Sequence, residues 1–136
     1  MTGADIVAEA RKHIGTPFKH QGRLPGMALD CAGLVVIVAQ NCGIEIFDAQ
    51  GYGRTPNGAL EATIAAQVCV DKVPIAERQA GDVLTMRFGK EMRHVAICAG
   101  DTVIHSYEAV GKVCEHALDA MWGKRIVSVY RFKGLA

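Results

Sequence analysis

An α+β domain is what this 136-residue chain predicts: an antiparallel sheet of about five strands packed against about three helices. Three observations carry the expectation. Helical periodicity is confined to the first half of the chain. Short strand-like runs bounded by glycine turns fill the second half. Between them the longest apolar run, Leu34 to Ala39, is too short to cross a bilayer and suits a buried central helix. Half the residues are hydrophobic and 21% are charged, enough to build a core without disulfides. No repeat, low-complexity tract or linker divides the sequence, so the expected organisation is one domain over residues 1–136.

The first helix is expected over Ala4–His13, with Thr2 as N-cap, Ile6, Ala10 and Ile14 on one face, and Gly15 and Pro17 as stops. A loop from Phe18 to Leu29 follows. The second helix starts at Cys31, capped by Asp30, and ends near Asn41 before Gly43. Leu34 to Val38 make it apolar nearly all round, as a central helix should be. A third helix, capped by Asn57, would place Leu60, Ile64 and Val68 on one face and end at Cys69. Strands are expected at Val83–Phe88, His94–Ala99, Thr102–Tyr107, Val113–His116 and Ile126–Phe132, with Gly100-Asp101 as a glycine-first hairpin turn.

The net charge of +1 gives no electrostatic case for nucleic acid or an acidic membrane surface as partner. The first residues, Met1 to Asp5, lack the basic and apolar regions of a signal peptide, so the chain is expected to be cytoplasmic when made unless other machinery carries it out. Its five cysteines are odd in number and include no CxxC, which argues against a disulfide scaffold.

Among those cysteines, Cys31 alone is expected at a helix N-terminus, where free amides and aligned dipoles favour the thiolate that acts as nucleophile. Cys42 and Cys69 are expected at helix C-terminal ends, and Cys98 and Cys114 in strands. A thiolate needs an imidazole to take its proton and a group to orient that imidazole. If Gly100 and Asp101 are the turn, Ile97 faces Ile104 and Ala96 faces His105. Alternation then sets His94, Ala96, Cys98, Val103, His105 and Tyr107 on one face. His94 and His105 become diagonal neighbours with small Ala96 between them, one as base and the other as orienter. Asp30 is first of all an N-cap, and its charge beside a thiolate would oppose ionisation unless turned to the backbone. His20 belongs to the glycine-bearing loop, and His13 and His116 are expected to face solvent. A zinc site of Cys31, His20, His94 and His105 is the competing reading, although zinc sites usually show close ligand pairs that are missing here.

These segments together resemble the NlpC-type cell-wall cysteine peptidases. They are GTPFKHQGR (Gly15 to Arg23), LDCAGLV (Leu29 to Val35), GDVL (Gly81 to Leu84), RHVAIC (Arg93 to Cys98) and VIHSY (Val103 to Tyr107). The resemblance covers nearly the whole chain, and the TPFxHQGR form is most similar to the branch encoded in phages and prophages near tail genes. It implies a papain-like α+β fold with no metal or organic cofactor. It also implies hydrolysis of peptidoglycan stem peptide, typically between D-glutamate and the diamino acid, through an acyl-enzyme. On that resemblance Cys31 is the nucleophile, His94 the general base and then acid, and His105 the orienter, with the Cys31 backbone amide as oxyanion donor. Asp30 would help hold the substrate's free amine. Many members have tyrosine where this chain has Phe18, leaving the hydroxyl's role empty or passed to His20. Many also have serine after the cysteine, where this chain has Ala32. Delivery by a phage or prophage tail, with tail proteins as partners, would bring such an enzyme to its substrate.

Two other functions fit the same residues. One is an N-acetylmuramoyl-L-alanine amidase or an acyltransferase using the same thiol and imidazole. The other is a structural tail component that kept the fold without the activity. The presence of Cys31, His94 and His105 together speaks against the latter.

Overall fold

The run Leu34–Ala39 forms the middle of a central helix, α2 (Cys31–Asn41), in the computed structural model, which describes residues 1–53 and 58–136. Asp30 caps it by accepting from the Gly33 amide at 2.7 Å. At the other end Gly43 turns left-handed with φ +76°. The Gly43 amide donates to the Gln40 carbonyl at 3.0 Å and the Ile44 amide to the Ala39 carbonyl at 2.9 Å, closing the helix with a Schellman pair of bonds. Every residue from Gly33 to Ala39 is buried. Gly33 must be glycine for a packing reason, since a Cβ there would lie 2.2 Å from the Gly22 carbonyl oxygen. That contact presses the loop before the helix against its first turn.

The helix α1 (Gly3–Arg11) packs Ile6, Val7 and Ala10 into the same core. It stops two residues before the expected His13, which is buried rather than solvent-facing. The His13 ring lies one turn past Glu9, with Nε2 2.8 Å from the Glu9 carboxylate. The loop expected from Phe18 to Leu29 contains a two-stranded ribbon, β1 (Arg23–Leu24) with β2 (Ala28–Leu29). Helix α3 (Ala59–Ala65) packs Leu60 and Ile64 on the core but ends before Val68, which is 83% exposed. Asn57, the expected cap, lies outside the described residues.

Among the described residues the sheet has six strands, one more than expected. The additional one is β3 (Val70–Val73), which pairs with the last strand from Val70↔Phe132 to Val73↔Val129, so Cys69 precedes a strand instead of ending a helix. The others are β4 (Val83–Phe88), β5 (Glu91–Cys98), β6 (Thr102–Tyr107), β7 (Lys112–Ala117) and β8 (Ile126–Phe132). Their order is β3-β8-β4-β5-β6-β7, antiparallel throughout. The hairpin turns where expected: Gly100 has φ +88°, the Ala99 amide donates to the Thr102 carbonyl at 2.9 Å, and Ile97 faces Ile104.

Both faces of the sheet are covered. Val95, Ile97 and Ile104 join the core under α1 and α2. On the opposite face Ala96, Cys98 and Val103 cluster with Leu84, Met86 and Val129, and Leu118 and Trp122 close over them. Trp122 belongs to the short helix α4 (Ala120–Gly123), which the periodicity did not foretell and which Asp119 caps by accepting from the Trp122 amide at 3.0 Å.

Candidate active site

Cys31 occupies the first position of α2, and its backbone N–H donates to no described group, as expected for an orphan amide of a first helical turn. Its side chain is half-buried, and the Val95 and Ala32 amides face the sulfur. The thiol is nevertheless pushed up to about 11, first by burial and then by the nearby Asp30 carboxylate. This shift runs opposite to the thiolate-favouring pull expected of a helix N-terminus. Removing the sulfur from water outweighs the pull of those amides and of Arg23. All four other cysteines are also shifted upward, each mainly by burial.

Cys31 and His94 line one cavity of about 1010 Å³, whose wall also includes Phe18, His20, Tyr52 and Arg125. Val95, whose amide faces the sulfur, is the residue after His94, so the helix start and the strand meet here. Among the described residues no hydrogen bond joins the sulfur to the imidazole, and His94 Nδ1 has no hydrogen-bond partner.

The other nitrogen of His94 begins a chain of imidazoles. His94 Nε2 lies 2.5 Å from His105 Nδ1, and His105 Nε2 lies 2.8 Å from His116 Nε2. His116 Nδ1 lies 3.0 Å from the Ala117 carbonyl oxygen. A carbonyl only accepts, so His116 Nδ1 carries the proton, and in the neutral ring its Nε2 offers a lone pair. His105 must then donate from Nε2 and accept at Nδ1, and His94 must donate from Nε2. The sequence of bonds leaves His94 Nδ1 as a bare lone pair. His94 is driven well below the usual imidazole range, chiefly by burial and then by His105, Arg125 and His116. His105 is lowered to about 3 by burial and by His116. Both rings are therefore neutral at neutral pH. Aromatic neighbours fix them: Phe88 stacks on His94 at 5.0 Å, Tyr107 on His105 at 5.1 Å, and Trp122 meets His105 edge-on at 5.3 Å.

The structure thus brings His94 and His105 together as the register required, and adds His116, which the sequence reading left facing solvent. Trp122 covers it at 4.7 Å between ring centroids.

Asp30 is 4% exposed and fully engaged. One oxygen accepts from the Gly33 amide and from Arg23 Nη1 at 2.9 Å. The other accepts from the Gln21 amide at 2.8 Å and from the Tyr52 hydroxyl. Arg23 continues to Asp48 at 2.9 Å and to the Tyr52 oxygen at 2.9 Å. Burial and Asp30 push the Tyr52 hydroxyl upward, so it remains a donor. Sequence reasoning missed Tyr52; its one signal was an aromatic between two glycines, Gly51 and Gly53. His20 supports the Tyr52 backbone, with Nε2 3.1 Å from its carbonyl oxygen. Phe18 is pinned by its amide to the Gly111 carbonyl at 2.8 Å. Arg125 was also missed. Its guanidinium stacks over Phe88 and Trp122 at 5.0 and 4.8 Å, while its buried Nε has no hydrogen-bond partner among the described residues.

The zinc set Cys31, His20, His94 and His105 is not what the fold assembles. Among the described residues, the potential ligand atoms that cluster, within 4.8 Å of one another, are those of His105, Cys114 and His116.

A helix headed by cysteine, packed on an antiparallel sheet that carries a chain of histidines, is the arrangement of a thiol hydrolase. Residues 15–131 match the model of the NlpC/P60 family, and the chain belongs to that family. It is 27% identical over 126 residues to the probable endopeptidase p60 of Listeria seeligeri, covering 93% of this chain and 21% of that protein. A probable endopeptidase of Corynebacterium glutamicum is 32% identical over 124 residues, covering 88% and 50%. The chain therefore spans between about a fifth and a half of these curated relatives. Among solved structures, the NlpC/p60 domain of the peptidoglycan hydrolase SagA superposes with a TM-score of 0.67 at 27% identity, covering 95% of this chain and 97% of that one. An NLP/P60-family protein similar to a lipoprotein, from Staphylococcus aureus, gives 0.70 at 23% identity, covering 96% and 41%, a likeness of fold.

Proposed function

We propose that this chain is a cysteine endopeptidase that hydrolyses peptidoglycan stem peptide at the D-glutamyl–diamino acid bond. The observation that carries the chemistry is the run of imidazole contacts from His94 through His105 and His116 to the Ala117 carbonyl, which with three neutral rings leaves His94 Nδ1 as an acceptor in the cavity that Cys31 lines. With substrate bound, the Cys31 side chain turns from the Val95 amide towards His94. Sulfur attacks the scissile carbonyl carbon as its proton passes to His94 Nδ1. The orphan Cys31 amide meets the developing oxyanion. His94 returns the proton to the leaving amine, and a water deprotonated by His94 then hydrolyses the thioester. His105 holds the ring of His94 in the productive tautomer.

Arg125 supports a substrate that carries a carboxylate next to the scissile bond, because its cation lines the same cavity as His94. Asp30 acts through position: with both oxygens occupied it holds Gln21, Arg23 and Tyr52 around the mouth of the helix. Tail-borne delivery belongs to the same proposal and rests on the Thr16–Arg23 pattern; co-purification with tail proteins tests it.

The decisive experiment is digestion of defined muropeptides, with products identified by mass. Wild type is expected to release a new D-glutamyl carboxyl terminus. Cys31→Ala and His94→Ala are expected to be inactive while folded, and His105→Ala to keep part of the rate. Full activity in Cys31→Ala refutes the mechanism.

A further inference from the structure

The outer end of the imidazole chain has a second chemistry available. His105 on β6 pairs directly with Cys114 on β7, and His116 follows two residues on, so all three project from one face of the sheet. One ligand atom from each lies within 4.8 Å of the others. His105 is buried, whereas Cys114 and His116 are half-buried, which gives an ion a way in. Around a tetrahedral zinc-like ion, with metal–nitrogen and metal–sulfur bonds of about 2.0–2.3 Å, ligand atoms sit about 3.3–3.6 Å apart. The present spacing, from 2.8 Å between the two Nε2 atoms up to that limit, reaches this arrangement by side-chain adjustments of about 1 Å. The Ala117 carbonyl already holds His116 Nδ1–H and leaves Nε2 for the metal, the outer bond by which proteins orient such ligands.

We propose that His105, Cys114 and His116 bind a thiophilic divalent cation of the zinc class, and that its binding switches off the neighbouring His94. The ion takes the Cys114 sulfur as thiolate, releasing one proton to solvent, and takes Nε2 of both histidines. His105 can offer Nε2 only if its proton moves to Nδ1. It then donates to His94 Nε2, where it formerly accepted. His94 must carry its own proton on Nδ1, the atom that would otherwise accept from Cys31. No electron is exchanged, and the net change is one bound dication and one released proton. The inhibitory half of this proposal rests on the hydrolase reading above; the binding half does not.

Cobalt(II) is the probe, because a thiolate ligand gives it a sulfur-to-metal charge-transfer absorption. The titration is done in Cys31→Ala protein, so the cavity thiol cannot supply the signal. One equivalent is expected to produce the band and to be displaced by zinc. In Cys31→Ala/Cys114→Ser the band should vanish, and in Cys31→Ala/His116→Gln affinity should fall by at least the roughly 10–100-fold that even an outer partner commands. Circular dichroism checks that each variant is folded. A band that survives loss of Cys114, or no band in the folded Cys31→Ala protein, overturns the site. In wild type, zinc is expected to suppress muropeptide hydrolysis reversibly with chelator, and each variant is compared with its own metal-free rate. Equal suppression in wild type and Cys114→Ser overturns the switch. A wild type inactive without metal refutes the hydrolase reading instead, and the cobalt band still decides the site.

Discussion

Asp30→Asn should move stability and thiol reactivity in opposite senses. The carboxylate accepts four hydrogen bonds, two on each oxygen. An asparagine that keeps its oxygen towards Gly33 and Arg23 turns its amino group towards the Gln21 amide, donor against donor. Leaving that amide unsatisfied costs about 1–3 kcal/mol, and replacing a charge-assisted bond to Arg23 with a neutral one costs about 1 kcal/mol more. The expected loss is about 2–4 kcal/mol, from the roughly 5–15 kcal/mol typical of a folded domain. It should appear as a lower urea midpoint with an unchanged slope. In the same protein the charge that opposes Cys31 ionisation is gone, so the alkylation midpoint of Cys31 should fall below about 11. Mass spectrometry of iodoacetamide-labelled peptides across pH measures it. A stability loss under about 1 kcal/mol would show that the buried network is not structurally important. A Cys31 midpoint that stays or rises would show that Asp30 does not govern the thiol.

Wild-type Cys31 should not label ahead of the other cysteines at mildly acidic pH. Its alkylation should climb about tenfold per pH unit through the neutral and mildly alkaline range, because folding raises its pKa and only the thiolate reacts; a plateau near neutral pH would refute this. Tyr52→Phe removes the hydroxyl shared by Asp30 and Arg23, each of which keeps other partners, and should cost about 1–2 kcal/mol in chemical denaturation. Arg125→Gln should lower kcat/KM on a muropeptide by roughly tenfold to a hundredfold, the worth of a charged hydrogen bond, with little change when the substrate carboxylate is amidated.

The elements legible in the sequence are those whose signals are local. Helix α2 begins and ends where Asp30 and Gly43 bracket an apolar run, and β4, β6 and β8 keep their expected bounds. The His94–His105 contact followed from a glycine-first turn that fixed the register. What was illegible depends on partners distant in sequence. Val70–Val73 carries exposed Asp71 and Lys72 between its valines and becomes a strand because β8 offers an edge. His116 is sheltered by Trp122 from a four-residue helix too short to show periodicity. Tyr52 lies in a stretch without regular structure, and its hydroxyl has meaning only once the segment folds back on Asp30. The upward push on the Cys31 thiol was illegible because a helix N-terminus can be read from neighbours in sequence, whereas desolvation is set by the whole fold.

These corrections combine into one property of the site. A carboxylate orienter would raise the proton affinity of its imidazole and favour a standing thiolate–imidazolium pair. Here the orienting chain ends on a backbone carbonyl, which fixes tautomers without adding charge. Burial then keeps His94 and His105 neutral and Cys31 protonated. The Asp30 carboxylate is engaged in its own network with Gln21, Arg23, Gly33 and Tyr52 and makes no hydrogen bond to the imidazoles. Separating charge between sulfur and imidazole is therefore unfavourable in the empty cavity. On the proposed mechanism it becomes favourable when a carbonyl is present to receive the sulfur and an orphan helix amide to receive the oxyanion. The proposed mechanism therefore ties reactivity to substrate occupancy and predicts a thiol that is unreactive towards a small alkylating agent yet acts on a bound peptide.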